Sequence, residues 1–185
     1  SAIAAVIGFA LALVPDPLPL LQSRQIQGAE VHPKPFSGKA LDLLLAQKQQ
    51  VYQSLTLSQI AKPTPLQAQA FDAALHLLQQ DGLSAAQLDA VARLLYSANY
   101  ELHQNGAQLL LLERAPQRFW GSYLINTAAK RHLLIEVPLP VDEAGTLEAA
   151  AMLFEQTSAR VLAVAGAARH ASRDGSADVL TFPNT

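Results

Sequence analysis

Short runs of leucine, branched and aromatic residues divide the second half of the chain into pieces of strand length. The first three runs lie at residues 108–113, 118–125 and 131–137. Such residues favour strands. The polar connections between them, at 114–117 and 126–130, are long enough to close a hairpin and too short for a parallel crossover. The pattern therefore predicts a three-stranded antiparallel meander.

The next segment predicts a βαβ unit. Pro138 and Pro140 end the third run, and Thr146 is the expected cap of a helix with an apolar face. A nearly uniform apolar run at 160–166 then follows, as expected for a strand that is covered on both faces. A helix between two such strands predicts parallel pairing and a right-handed crossover. The expected fold class is α+β, with a helical region followed by a small mixed sheet.

The region 37–105 is expected to be helical. Leucines at helical spacing predict a first helix from Ser37, its N-cap, to about Leu55. Thr64 and Ser84 each begin a capping-box pattern, with a glutamine three residues later. The two helices that follow are expected to form an αα-hairpin, the second ending at 105–106. The sheet region then extends over 106–185.

The first 36 residues have a different character. Residues 2–14 are apolar, a length too short to span a bilayer but typical of the apolar part of a signal peptide. Pro15, Pro17 and Pro19 follow, and a linker is expected up to residue 36. The pattern favours export to the periplasm or membrane attachment through the N-terminus, with a buried N-terminal helix as the alternative. The natural protein is expected to continue beyond the numbered chain.

Composition excludes several classes of function. The chain of 185 residues has 13 basic and 15 acidic side chains, and no basic cluster suited to nucleic acid. It has no cysteine, so a metal site would need histidines and carboxylates. Serine-hydrolase, nucleotide-binding and zincin motifs are absent from the sequence. Only 15% of residues are charged, against about a quarter in a typical globular protein. A thinly charged surface is compatible with one that a protein partner covers.

Polar residues follow the two strands of the predicted βαβ unit. Glu136 ends the first strand, and His170, Asp174 and Asp178 come after the second. Because ligands in open α/β sheets bind where strands end, these side chains are candidates for one site. Glu136 and His170 are the expected metal ligands, and Asp174 or Asp178 is a third ligand or a catalytic base. In the structural alternative, Glu136 pairs with one of three arginines: Arg131, Arg160 or Arg169.

Residues 134–179 carry a family resemblance. The stretch LIEVPLPVDEAGTLEAAAMLFEQTSARVLAVAGAARHASRDGSADV resembles part of the zinc-dependent amidohydrolases similar to N-formylglutamate amidohydrolase and poly-γ-glutamate hydrolase. The resemblance implies zinc held by Glu136 and His170. Leu139 stands where the family pattern has a histidine. Since catalytic zinc needs three protein ligands, a non-catalytic relative is also implied.

Two functional hypotheses follow. The first is an exported envelope protein with a hydrolase-like, metal-dependent site that acts on amide or peptide-like substrates. The second is a non-catalytic scaffold that docks a protein partner through the helical hairpin. His76 and His103 are expected to be ordinary structural residues because they form no cluster. Trp120, Phe119 and Tyr123 are expected in a core rather than on a ligand platform.

Overall fold

The computed structural model describes residues 30–53, 60–169 and 171, with the backbone alone at 50–53. This part of the chain contains four helices and a six-stranded mixed sheet, which confirms the α+β class. The helices are α1 (Ala40–Gln53), α2 (Pro65–Leu78), α3 (Ala85–Ser97) and α4 (Thr146–Thr157). The strands are β1 (Lys34–Pro35), β2 (Tyr100–Asn105), β3 (Gln108–Glu113), β4 (Ser122–Asn126), β5 (Leu134–Val137) and β6 (Val161–Val164).

The strand order is β1-β2-β3-β4-β6-β5. The meander is formed by β2, β3 and β4, while β5 and β6 are parallel, as expected for the βαβ unit. The expectation that β5 follows β4 in the meander is wrong, since β4 pairs with β6. Composition fits this order: β6 is wholly apolar and its Leu162, Ala163 and Val164 are buried, whereas β5 carries Glu136, which is exposed together with Leu134. The strand with the more apolar surface takes the interior position.

Two helical layers cover the sheet. On one face, α2 and α3 pack over a core that includes Leu109, Leu111, Tyr123 and Ile125. On the other face, α1 and α4 pack over a second core that includes Leu110, Leu124, Leu162 and Val137. Neighbouring residues of β3 and β4 enter opposite cores because side chains alternate along a strand. The central strands are therefore buried on both faces.

The capping boxes are confirmed, and several expected boundaries are wrong. Thr64 and Ser84 accept hydrogen bonds from the backbone of the glutamine three residues on, and each glutamine side chain binds the cap in return. Helix α1 begins at Ala40 rather than after a Ser37 cap. The N-cap of α4 is Gly145 rather than the expected Thr146. The Thr146 hydroxyl donates instead to the carbonyl oxygen of Glu143 at 2.8 Å.

The expected helical run from Ser84 to residue 105 is wrong beyond Ser97. Asn99 adopts a left-handed conformation with a φ of 69°, which turns the chain into β2. Tyr100 and Leu102 are buried while Glu101 and His103 are partly exposed, an alternation that suits a strand. The expected linker also ends too late, because Lys34 and Pro35 pair with β2.

Within the described residues, no helix is both long and apolar enough to cross a membrane. The apolar stretch at 2–14, expected to be a signal or anchor segment, lies outside the described residues.

The capping box of α3 can be tested by mutation. Replacing Ser84 by alanine removes the acceptor for the Gln87 amide, and we expect it to lower the free energy of unfolding by about 1 kcal/mol. Ser84→Thr keeps a hydroxyl and is the matched control. Urea unfolding followed by circular dichroism measures both. An equal loss in the two variants would show that the hydroxyl does not cap the helix.

Candidate functional site

The carboxyl ends of β5 and β6 form one edge of the sheet, as the sequence predicts for parallel strands. Glu136 lies in the β5 register opposite Ala163 of β6, one residue before the end of its strand. Its side chain points to the α2–α3 face, away from the core that holds Ile135 and Val137. Glu136 is exposed, and among the described residues it forms no ion pair with an arginine. The alternative expectation, that Glu136 pairs with an arginine, is therefore not met among the described residues.

The loops that follow β5 and β6 meet at this edge. The Asp142 Oδ2 atom accepts a hydrogen bond from the backbone N–H of Arg169 at 2.8 Å. Asp142 lies in the loop after β5, and Arg169 in the loop after β6. This bond joins two segments 27 residues apart in sequence. It holds the backbone next to position 170 against the loop that follows Glu136.

Two glycines bring a third loop into contact with these two. A Cβ atom on Gly166 would overlap the backbone nitrogen of Gly121 and the carbonyl carbon of Phe119. Gly121 has a φ of 106°, and a Cβ there would overlap the carbonyl oxygen of Val164. The β3–β4 loop therefore packs backbone to backbone against the loop after β6, a close approach that glycine alone permits.

Glu113 is a buried carboxyl at this edge that the sequence interpretation missed. It ends β3 with 8% of its surface exposed. Its Oε1 atom accepts the N–H of Arg118, and Oε2 accepts the N–H groups of Phe119 at 3.0 Å and Trp120 at 3.3 Å. The three donors hold the loop against the end of the strand. A charged residue closing a run of four leucines was the available signal, since such a residue needs partners when buried.

Burial raises the pKa of the Glu113 carboxyl from about 4.5 to about 7, although the three N–H groups favour the charged form. A carboxyl that titrates near neutral pH can either donate or accept a proton there. The residue also lines a cavity of about 20 Å³, large enough for one water molecule, together with Gln47, Lys48 and Ser122.

Hydrogen bonds tie α1 to this cavity. The Ser122 hydroxyl donates to Gln47 Oε1 at 2.9 Å, and Gln47 Nε2 donates to the Glu113 carbonyl at 3.3 Å. Lys48 Nζ lies 4.0 Å from Glu148 Oε2 of α4. Ser122 is buried and engaged with an amide rather than a base, so it lacks the pairing of a serine nucleophile.

The remaining predicted site residues, His170, Asp174 and Asp178, lie outside the described residues. In the described part of the chain, no group of three or more histidine and acidic side chains is placed to hold a metal ion. Of the predicted ligands, Glu136 alone is therefore located by the structure.

The histidines and aromatic residues of the helical side have structural surroundings. His76 lies 3.7 Å from Asp72 on α2, and His103 lies 3.5 Å from Glu101 on β2. Tyr123 is buried and its ring centroid lies 5.5 Å from that of Phe71, which confirms its place in the core. Burial raises the pKa of Tyr123 to about 12, so its hydroxyl stays protonated.

The raised pKa of Glu113 predicts a pH dependence of stability. A carboxyl with a higher pKa in the folded state stabilises the fold below the unfolded pKa, and this contribution is lost as pH rises through the folded value. Between pH 4.5 and 7 we expect a loss of up to about 3 kcal/mol. Urea unfolding at pH 5 and pH 8 should show this loss in the wild type.

Glu113→Gln should largely remove that difference, because the amide does not titrate. Glu155→Gln, at an exposed position of α4, is the control and should keep the wild-type difference. An unchanged pH dependence in Glu113→Gln would assign the effect to another group.

Comparison with protein-family models, with curated proteins and with solved structures finds no match to this chain. The resemblance of residues 134–179 to zinc-dependent amidohydrolases therefore stays a prediction.

Proposed function

We propose that the chain is a hydrolase-like protein whose site lies at the carboxyl edge of β5 and β6 and acts on amide or peptide-like substrates. Glu136 and His170 are the proposed metal ligands, with zinc as the metal. Asp174 or Asp178 supplies a third ligand or a catalytic base. The apolar stretch at 2–14 supports export to the periplasm or attachment to a membrane.

The bond between Asp142 and the backbone of Arg169 carries this proposal. It ties the loop after β6 to the loop after β5. Arg169, which precedes His170 in the sequence, is thus held at the same edge as Glu136. Ligands in open sheets bind where such loops gather.

The state of Glu136 also supports a ligand role. Its carboxylate is exposed, and within the described residues it makes no ion pair that would have to be broken. A carboxylate and an imidazole are both ordinary zinc ligands. When bound, zinc would polarise the amide carbonyl and lower the pKa of a bound water.

The second hypothesis is a non-catalytic scaffold, and one observation favours it. Leu139, which stands where the resembled family has a histidine, is buried in the core with 1% of its surface exposed. The structure also limits how such a scaffold would dock. The apolar faces of α2 and α3 are packed on the sheet, with Ala74, Leu78, Val91 and Leu95 buried. A protein partner would have to use another surface than the leucine stripe of the hairpin.

Metal content distinguishes the two hypotheses. We expect purified protein to bind one zinc ion, measured by elemental analysis and by calorimetric titration. Removing a ligand should weaken binding by about tenfold or more, since even the residues that orient ligands have effects of that size. His170→Ala and Glu136→Ala test the two ligands, each with circular dichroism to confirm folding.

His76→Ala is the matched control. This histidine lies on α2 with 65% of its side chain exposed, beside Asp72 rather than the carboxyl edge. It should bind zinc as the wild type does. Equal affinity in His76→Ala and His170→Ala, or no binding in the wild type, would remove the metal site and favour the scaffold.

A further inference from the structure

An apolar groove lies at the end of the sheet opposite the carboxyl edge. It has a volume of about 440 Å³. Ile125 and Val161 form its floor, at the end of β4 and the start of β6, and Leu75 and Leu78 of α2 form one wall. Leu134 at the start of β5 forms the opposite wall and is 44% exposed. The volume is within the range of small-molecule sites in proteins.

The strand order creates this groove. Helices α2 and α3 pack over the β2–β4 meander, and their core includes Ala163 but not Leu134 of the edge strand. Leu134 therefore stays exposed beside a concave apolar surface, a feature that marks binding sites.

Arg160 gives the groove a positive charge that is weakly compensated. Its side chain is 13% exposed and lines the groove. Nη1 donates to the carbonyl of Thr127 at 3.1 Å, and Nη2 donates to the carbonyl of Leu78 at 3.3 Å. Both partners are neutral. The carboxylate of Asp81 is 3.9 Å away on a side chain that is 95% exposed, where an ion pair contributes little.

Further basic residues lie in the chain segment next to the groove. The connection between β4 and β5 carries Lys130, Arg131 and His132 in succession, all three exposed, and His132 lines the groove. Glu136 faces the same side of β5 two residues after Leu134, and Asp81 is the acidic residue near Arg160. Among the described residues that line the groove, Arg160 carries the charge. The groove is thus complementary to a ligand with an apolar body and a negative head.

We propose that this groove binds a single-chain fatty carboxylate. The acyl chain lies against Ile125, Val161 and Leu134, and the carboxylate binds the guanidinium of Arg160. A planar guanidinium still has N–H groups beyond the two used by carbonyls, and its geometry matches a carboxylate. The site is separate from the carboxyl edge, so it does not rest on the proposed hydrolase.

Binding of decanoate to the full chain tests the proposal. Calorimetric titration below the micelle concentration should show one site, and amide NMR shifts should cluster at Leu134, Arg160 and Val161. Decanol has the same chain without the charge, and decyltrimethylammonium has the opposite charge. Both should bind at least about tenfold more weakly, because charge-assisted hydrogen bonds to Arg160 are lost.

Two variants separate the groove from unspecific adsorption. Leu134→Ser shortens the exposed wall, and Leu153→Ser is its matched control, since Leu153 is 46% exposed on α4 across the sheet. The first should weaken decanoate binding several-fold and the second should not. Arg160→Lys keeps the charge but loses the planar fork, and it should bind decanoate more weakly while remaining folded by circular dichroism.

Three results would overturn the proposal. The first is equal binding of decanoate and decanol, which would show that the charge is not recognised. The second is equal weakening by Leu134→Ser and Leu153→Ser. The third is no binding by the folded full chain, as expected if a segment of the chain itself or a protein partner is the true occupant of the groove.

Discussion

The antiparallel pairing of β4 with β6 is the interaction on which the rest of the structure depends. It joins the meander to the βαβ unit, with Tyr123 opposite Ala163 and Leu124 opposite Leu162. Side chains alternate across this seam, so it contributes to the cores on both faces of the sheet. Without it, each unit would be left with a bare strand edge and half a core. The two helical layers and the gathering of loops at the carboxyl edge all require this pairing.

Features set by near neighbours in the chain could be predicted from sequence, and features set by distant contacts could not. The capping boxes at Thr64 and Ser84 need only four consecutive residues, and both are present. The parallel pair β5 and β6 follows from the helix between them. The insertion of β6 between β4 and β5 reflects which strand buries more apolar surface, a comparison that the local pattern does not contain. The sequence predicts a helix as far as residue 105 because Asn105 and Gly106 are the evident stop signal, whereas the chain leaves the helix at Asn99.

The candidate site divides in the same way. The position of Glu136 near the end of its strand was predictable, because strand ends can be read from the prolines that follow. The burial of Glu113 was not, because its hydrogen-bond donors come from a loop that folds back over the strand end. One short strand, β5, contributes Glu136 to the proposed metal site and Leu134 to the proposed groove on the same face. Because β5 is the edge strand of the sheet, both of these side chains are exposed.

The contact between Gly121 and Gly166 has a consequence for how this edge can vary. Main-chain atoms rather than side chains set the distance between the two loops, because neither position has room for a Cβ atom. Substitutions elsewhere in the loops can change their chemistry while this crossing point stays where it is. The contact therefore fixes the spacing of the two loops at this point, whichever side chains the described residues on either side of it carry.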